Sequence, residues 1–131
     1  MTNKVIIYYT DNNLNMNIAN ACRKQLSLAA GDIPIICVSQ KPVKFGINMV
    51  VGELNRSRHS IFKQILAGMV EAWKRFRPET VCLAEHDVLY PEKWFDSYPE
   101  LNDTFYYCKN KWFMDKHGFL YKAFPCLSTL K

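Results

Sequence analysis

The chain has 131 residues, a formal net charge of +5 and 49% apolar residues, which suits one globular domain and argues against disorder. No apolar run is long enough to span a bilayer. The five cysteines are scattered and form no CxxC, which argues against a zinc knuckle or a dithiol redox motif. Four of them lie in apolar surroundings and read as buried thiols. The excess of base favours an anionic partner, such as a phosphate-bearing cofactor or nucleic acid, although many small domains are mildly basic without one.

Met1 to Ile7 runs straight into a strand and shows no signal-peptide cleavage region, so the expected compartment is the reducing cytoplasm. Lys4 to Thr10 is a continuous apolar, β-branched and aromatic run, as in a strand covered on both faces. Thr10-Asp11-Asn12-Asn13 is a polar cluster that suits a turn and a helix N-cap. A helix should follow to about Ala30, with Leu14, Ile18, Ala21, Cys22, Leu26 and Ala29 on its apolar face. Gly31 ends it and Pro34 blocks its resumption. Pro34 to Ser39 is a second buried strand, which completes a βαβ unit.

A basic loop, Gln40 to Phe45, precedes a short strand at Ile47 to Gly52. Glu53 to Ser60 is polar and basic and leads into the strongest helical pattern of the chain. Ile61, Phe62, Ile65, Leu66, Met69, Val70, Trp73 and Phe76 form one stripe, expected to be core. Lys63, Gln64, Glu71, Lys74 and Arg75 decorate the remainder, with Glu71 able to pair with Arg75. Arg77-Pro78 ends the helix.

Thr80 to Leu83 reads as another buried strand. It runs out into Glu85-His86-Asp87, and the carboxyl edge of an open α/β sheet is where ligands bind. If the chain stays extended there, Glu85 and Asp87 share one side and His86 takes the other. Two carboxylates on one side call for a divalent cation, a basic side chain or a shared proton. The alternative is a solvated turn with a helix cap. Pro91 should open a short helix reaching Tyr98. Beyond it the chain reads as β-rich: strands at Thr104 to Cys108 and Phe119 to Phe124, a strand or bend at Lys111 to Met114, and a turn at Asp115 to Gly118.

This order resembles the GT-A fold of nucleotide-sugar glycosyltransferases, in particular the small family-two-like members carried by phages and bacteria. The residues that carry the resemblance are Thr10-Asp11-Asn12 at a strand end, Asn55-Arg56-Ser57-Arg58 at a helix entry, and Glu85-His86-Asp87 as the acid-x-acid motif. Phe105 to Tyr107, Trp112 and the Asp115 to Gly118 turn add to it. It covers roughly Val5 to Phe124 and implies a single α/β domain with a mixed, mostly parallel sheet flanked by helices.

The implied activity is transfer of a sugar from a nucleotide donor, UDP-linked, to a hydroxyl acceptor. Asp87 would ligate Mn²⁺ or Mg²⁺, with Glu85 at the donor ribose or reaching the metal through water. Asp11 would lie beneath the nucleobase and ribose, with Tyr9 and Thr10 lining the same pocket and His86 beside the motif. Arg56 and Arg58 would hold the diphosphate by charge and helix dipole. Asp115, with Asp103 behind it, is the nearest candidate base. Each has a plainer reading: Asp11 as an N-cap, the arginines as a solvated face, His59 as packing or capping, and Asp115 as a turn residue.

Longer members bring a third metal ligand, a histidine, from well downstream. Here His117 is the only histidine after the motif, at a spacing short for that role. The basic charge makes DNA with a hydroxylated base a candidate acceptor, and a host cytoplasm the expected location if the chain is phage-encoded. A homo-oligomer could complete the site. Two other readings stand: a nucleotide or nucleic-acid binding module without turnover, and a metal-dependent phosphohydrolase.

Overall fold

The structure, a computed structural model, describes residues 3–96 and 112–122. They fall into two compact units, Met1–Tyr98 and Pro99–Lys131. In the first, the chain runs β1 (Lys4–Thr10), α1 (Met16–Ala30), β2 (Ile35–Ser39), β3 (Ile47–Val50), α2 (Arg58–Phe76) and β4 (Thr80–Glu85). The four strands form one sheet in the order β3-β2-β1-β4, and every pair is parallel. This is the expected α/β class.

β1 is central and buried almost throughout, which is why it is written as an unbroken apolar run. Alternation splits its side chains between two cores. Ile6 and Tyr8 face Leu26, Ala29 and Ala30 of α1. Val5 and Ile7 face Ala72 of α2, with Ala67 and Phe76 packed alongside. The helices therefore cover opposite faces of the sheet.

Both helices differ from their sequence reading. Asn15, not Asp11, caps α1: its side chain accepts from the Asn17 and Ile18 amides. Asp11 instead closes the preceding turn by accepting from the Asn13 amide at 3.0 Å. The buried face runs through Ala19, Cys22, Leu26, Ala29 and Ala30, so Ile18 is exposed and Ala21 lies in solvent. Gly31 ends the helix as expected, at φ +55°.

In α2 the reversal is larger. Its buried residues are Ser60, Gln64, Gly68 and Ala72, whereas Phe62, Leu66, Met69, Val70 and Trp73 of the expected core stripe are exposed. The cause is distance. A Cβ on Gly68 would lie 2.6 Å from Ile7 Cγ2 and 3.0 Å from Val38 Cγ2, so only a minimal side chain lets the helix sit this close. Gln64, expected to decorate the surface, is 2% exposed. Its amide donates to the Thr10 carbonyl at 2.9 Å and the Val38 carbonyl at 3.3 Å. Glu71 and Arg75 do pair.

The short helix expected from Pro91 is absent: residues 92–95 are turns. Lys93 takes φ +64°, which no α-helix accommodates. This lets Tyr90 and Phe95 both reach the core. Lys4, 2% exposed, donates from Nζ to the Phe95 carbonyl at 2.6 Å.

The second unit contains an antiparallel hairpin of β5 (Trp112–Met114) and β6 (Leu120–Lys122). Asp115 closes its turn by accepting from the His117 and Phe119 amides. The expected strand at 104–108 and the ends of those at 111–114 and 119–124 lie outside the described residues. No helix among the described residues is long and apolar enough to cross a membrane.

Candidate functional site

The ends of β1, β2 and β4 meet at the carboxyl edge of the sheet, and short polar loops leave from it. Asn12 ties two of them together. At φ +63° its carboxamide oxygen accepts from the Gln40 and Lys41 amides at 2.8 and 2.9 Å. Asn48 braces the loop after β2, accepting from the Val43 amide and donating to the Cys37 carbonyl and Ser39 Oγ. Sequence reading placed Asn12 only in a turn cluster and assigned Asn48 no role. A carboxamide can bond two backbones at once, but no local pattern marks which Asn does so.

Thr10, at the end of β1, is 5% exposed. Its hydroxyl accepts from the Asn12 amide at 3.1 Å and lies 2.7 Å from His86 Nδ1, the donor of the second bond being set by the imidazole tautomer. Asp11 Oδ1 is 3.8 Å from the same nitrogen. Burial opposes ionisation of Asp11. The Asn13 hydrogen bond and the charges of His86 and Arg56 outweigh it and hold the carboxyl below its ordinary range. The structure thus brings Thr10, Asp11 and His86 together, with the charge of Arg56 adding to the field at Asp11.

β4 ends at Glu85, and residues 86–87 form a turn. Strand alternation stops there, so the expected placement of Glu85 and Asp87 on one side of an extended chain does not apply, and His86 swings to β1. Tyr90 explains the tight turn, because its hydroxyl accepts from the Glu85 amide at 2.9 Å. Burial raises the Tyr90 pKa to about 12.

Glu85 registers against Tyr9 and accepts from its hydroxyl at 3.4 Å. Burial first, then the Glu85 charge, with Asp87 contributing, push the Tyr9 phenol well above its usual value. Both acids of the motif therefore act on one phenol, and both carboxylates are exposed. Arg56 sits in the loop before α2, and Arg58 opens the helix; both are exposed. Ser57 caps that helix by accepting from the Ser60 amide, and Ser60 donates to the Asn55 carbonyl.

A cavity of about 210 Å³ opens at this edge, lined among others by Thr10, Asn12, Met16, Arg23, Pro42 and Lys44. A larger one, about 450 Å³, lies by the end of α1 and the Pro91 turn, lined by Leu28, Asp32, Glu92 and Phe95. It is at the amino edge of β2, away from the motif. Of the sequence-predicted site residues Thr10 alone lines the smaller cavity. Asp11, Arg56, Glu85, His86 and Asp87 stand outside it, so the candidate site is the strand edge around Thr10, Asp11 and His86 and not either cavity.

Among the described residues, no three of His, Cys, Asp and Glu cluster as a metal site. Two exposed carboxylates still suit a hard cation that takes its remaining oxygens from phosphate and water. Asp115 belongs to the hairpin of the second unit, with Oδ1 engaged by two backbone amides; Asp103 lies outside the described residues. Comparison with protein-family models, curated proteins and solved structures found no match.

Proposed function

We propose that the chain is a metal-dependent glycosyltransferase of GT-A type, moving a sugar from a UDP-linked donor to a hydroxyl acceptor. The carrying observation is that His86 of the Glu85-His86-Asp87 motif meets Thr10 and Asp11 at the carboxyl edge of a parallel sheet. That edge is where α/β folds bind nucleotides. In this reading Asp11, kept ionised by its neighbours, takes the ribose hydroxyls. Thr10 and Tyr9 flank the donor from the end of β1, Tyr9 through its bond to Glu85, and Arg56 and Arg58 face the diphosphate with the N-terminus of α2.

Asp87 and Glu85 would hold Mn²⁺ or Mg²⁺. A bound cation neutralises charge on the departing diphosphate. Glu85 keeps its orientation through Tyr9, and the Tyr90 hydroxyl fixes the turn that presents Asp87. DNA carrying a hydroxylated base is the proposed acceptor, on the strength of the basic charge.

The first experiment is a thermal-shift panel of nucleotide sugars with and without Mn²⁺. Mass action raises Tm for any ligand that prefers the folded state. The expected result is a shift by UDP-sugars that needs Mn²⁺ and is lost in Asp87→Ala. Equal shifts by UDP-sugars, ATP and GTP would overturn the donor assignment. A binding module without turnover is favoured by one observation, the engagement of Asp115 in its own turn, which leaves the base unassigned. Metal-dependent binding without sugar transfer or donor hydrolysis would decide for it, and release of free phosphate would mark a phosphohydrolase.

A further inference from the structure

We propose that the outward face of α2 docks on an anionic membrane surface, lying along it without crossing it. The inward face is satisfied: Ser60, Gln64, Gly68 and Ala72 are buried. The opposite face carries Phe62, Leu66, Met69 and Trp73, exposed by 55%, 62%, 45% and 56%. Their spacing aligns them in one stripe along the helix. A stripe of large apolar side chains in solvent is uncommon on a small domain and marks a contact surface.

The charges identify what it contacts. Val70, exposed by 47%, extends the stripe on one side, and Lys63 and Lys74 flank it there by helical spacing and are exposed. The Arg77 guanidinium lies 5.1 Å from the centre of the Trp73 ring. Glu71, the acidic residue of α2, is turned away from this face and paired with Arg75. An apolar stripe of Phe, Leu, Met and Trp with lysines along one edge and an arginine over its tryptophan is the pattern of helices that lie in a lipid interface. Lysine stems extend along apolar surface while their ammonium groups reach phosphate. A second copy of α2 across this face would set Lys63 and Lys74 against their own kind, which disfavours self-association.

The test uses the full chain and phosphatidylcholine vesicles with and without phosphatidylserine, read by co-sedimentation. Binding is expected only with phosphatidylserine and should weaken with salt. Lys63→Gln with Lys74→Gln should lower it roughly tenfold or more, and so should Leu66→Gln with Met69→Gln, with far-UV circular dichroism unchanged in both. No binding, equal binding to both vesicle types, or wild-type binding by the lysine pair would overturn the proposal. So would a dimer in light scattering that Leu66→Gln dissolves, or capture of polyglutamate with vesicles ignored. Protection of the face from hydrogen exchange without vesicles would show it covered by the chain itself and would also refute docking. None of these readouts depends on the nucleotide-sugar reading.

Discussion

At the scale of single residues, the site is held by side chains that satisfy backbone groups, and two of them make separable predictions. Asp11 is ionised below its ordinary range because Asn13, His86 and Arg56 together overcome its partial burial. A carboxyl depressed in the folded state adds stability that is full above its unfolded pKa, about 3.9, and is lost as pH falls through the lower folded value. Asp11→Asn keeps the acceptor for the Asn13 amide but removes the charge. Urea denaturation at stepped pH should show the wild type losing stability more steeply than Asp11→Asn below about pH 4. Parallel curves would mean that Asp11 titrates alike folded and unfolded. Tyr90 makes the second prediction, because its hydroxyl is the acceptor for the Glu85 amide. Tyr90→Phe keeps the buried ring and orphans that amide, at a cost of about 1–3 kcal/mol. The metal-dependent shift by UDP-sugar should weaken with it, since the turn carrying Asp87 loses its tie. A destabilised variant with the full ligand shift would show that the tie serves the fold alone.

At the scale of elements, α2 separates two rules that usually agree. Periodicity finds a helix because apolar residues recur at its period, and it assigns that stripe to the core. Here the stripe and the core-facing side differ, since proximity to Ile7 and Val38 demands Gly68 and Ala72 on the inside. Gly68→Ala should therefore destabilise. The clash costs about 1–3 kcal/mol against a helix-propensity gain of up to about 1 kcal/mol, leaving a net loss of about 1–2 kcal/mol by urea titration. Leu66→Gln, on the exposed stripe, should change stability by no more than about 0.5 kcal/mol. If instead Leu66→Gln costs several kcal/mol and Gly68→Ala stabilises, the helix faces the sheet the other way round. The strand runs were legible for the opposite reason. β1 and β2 are covered on both faces, so their inner positions, Val5 to Tyr9 and Ile35 to Val38, are apolar or aromatic and no facing had to be chosen. The turn after Pro91 was not legible, because Lys93 at positive φ answers to the burial of Tyr90 and Phe95 and to nothing in its own dipeptide.

At the scale of the whole molecule, the order of elements was readable and the wiring of the site was not. Thr10, Asp11 and the Glu85-His86-Asp87 motif announced themselves as polar residues at the ends of apolar runs, which is a property of the chain in one dimension. That His86 meets Thr10, that Gln64 ties the ends of β1 and β2, and that Asn12 joins two loops depend on pairings across more than twenty residues. Net charge is also legible in one dimension, yet it does not say where the charge acts. Arg56 and Arg58 can serve a donor diphosphate or a nucleic-acid backbone, and salt dependence distinguishes the two. Counterion release gives the log of duplex affinity a slope of about −0.9 against log salt for each phosphate neutralised. If the arginines hold the donor, Arg56→Ala with Arg58→Ala should leave the slope for duplex DNA unchanged and abolish the Mn²⁺-dependent shift by UDP-sugar. A slope shallower by nearly two, with the shift intact, would move both residues from the donor pocket to the acceptor and take from the diphosphate the cationic side chains assigned to it.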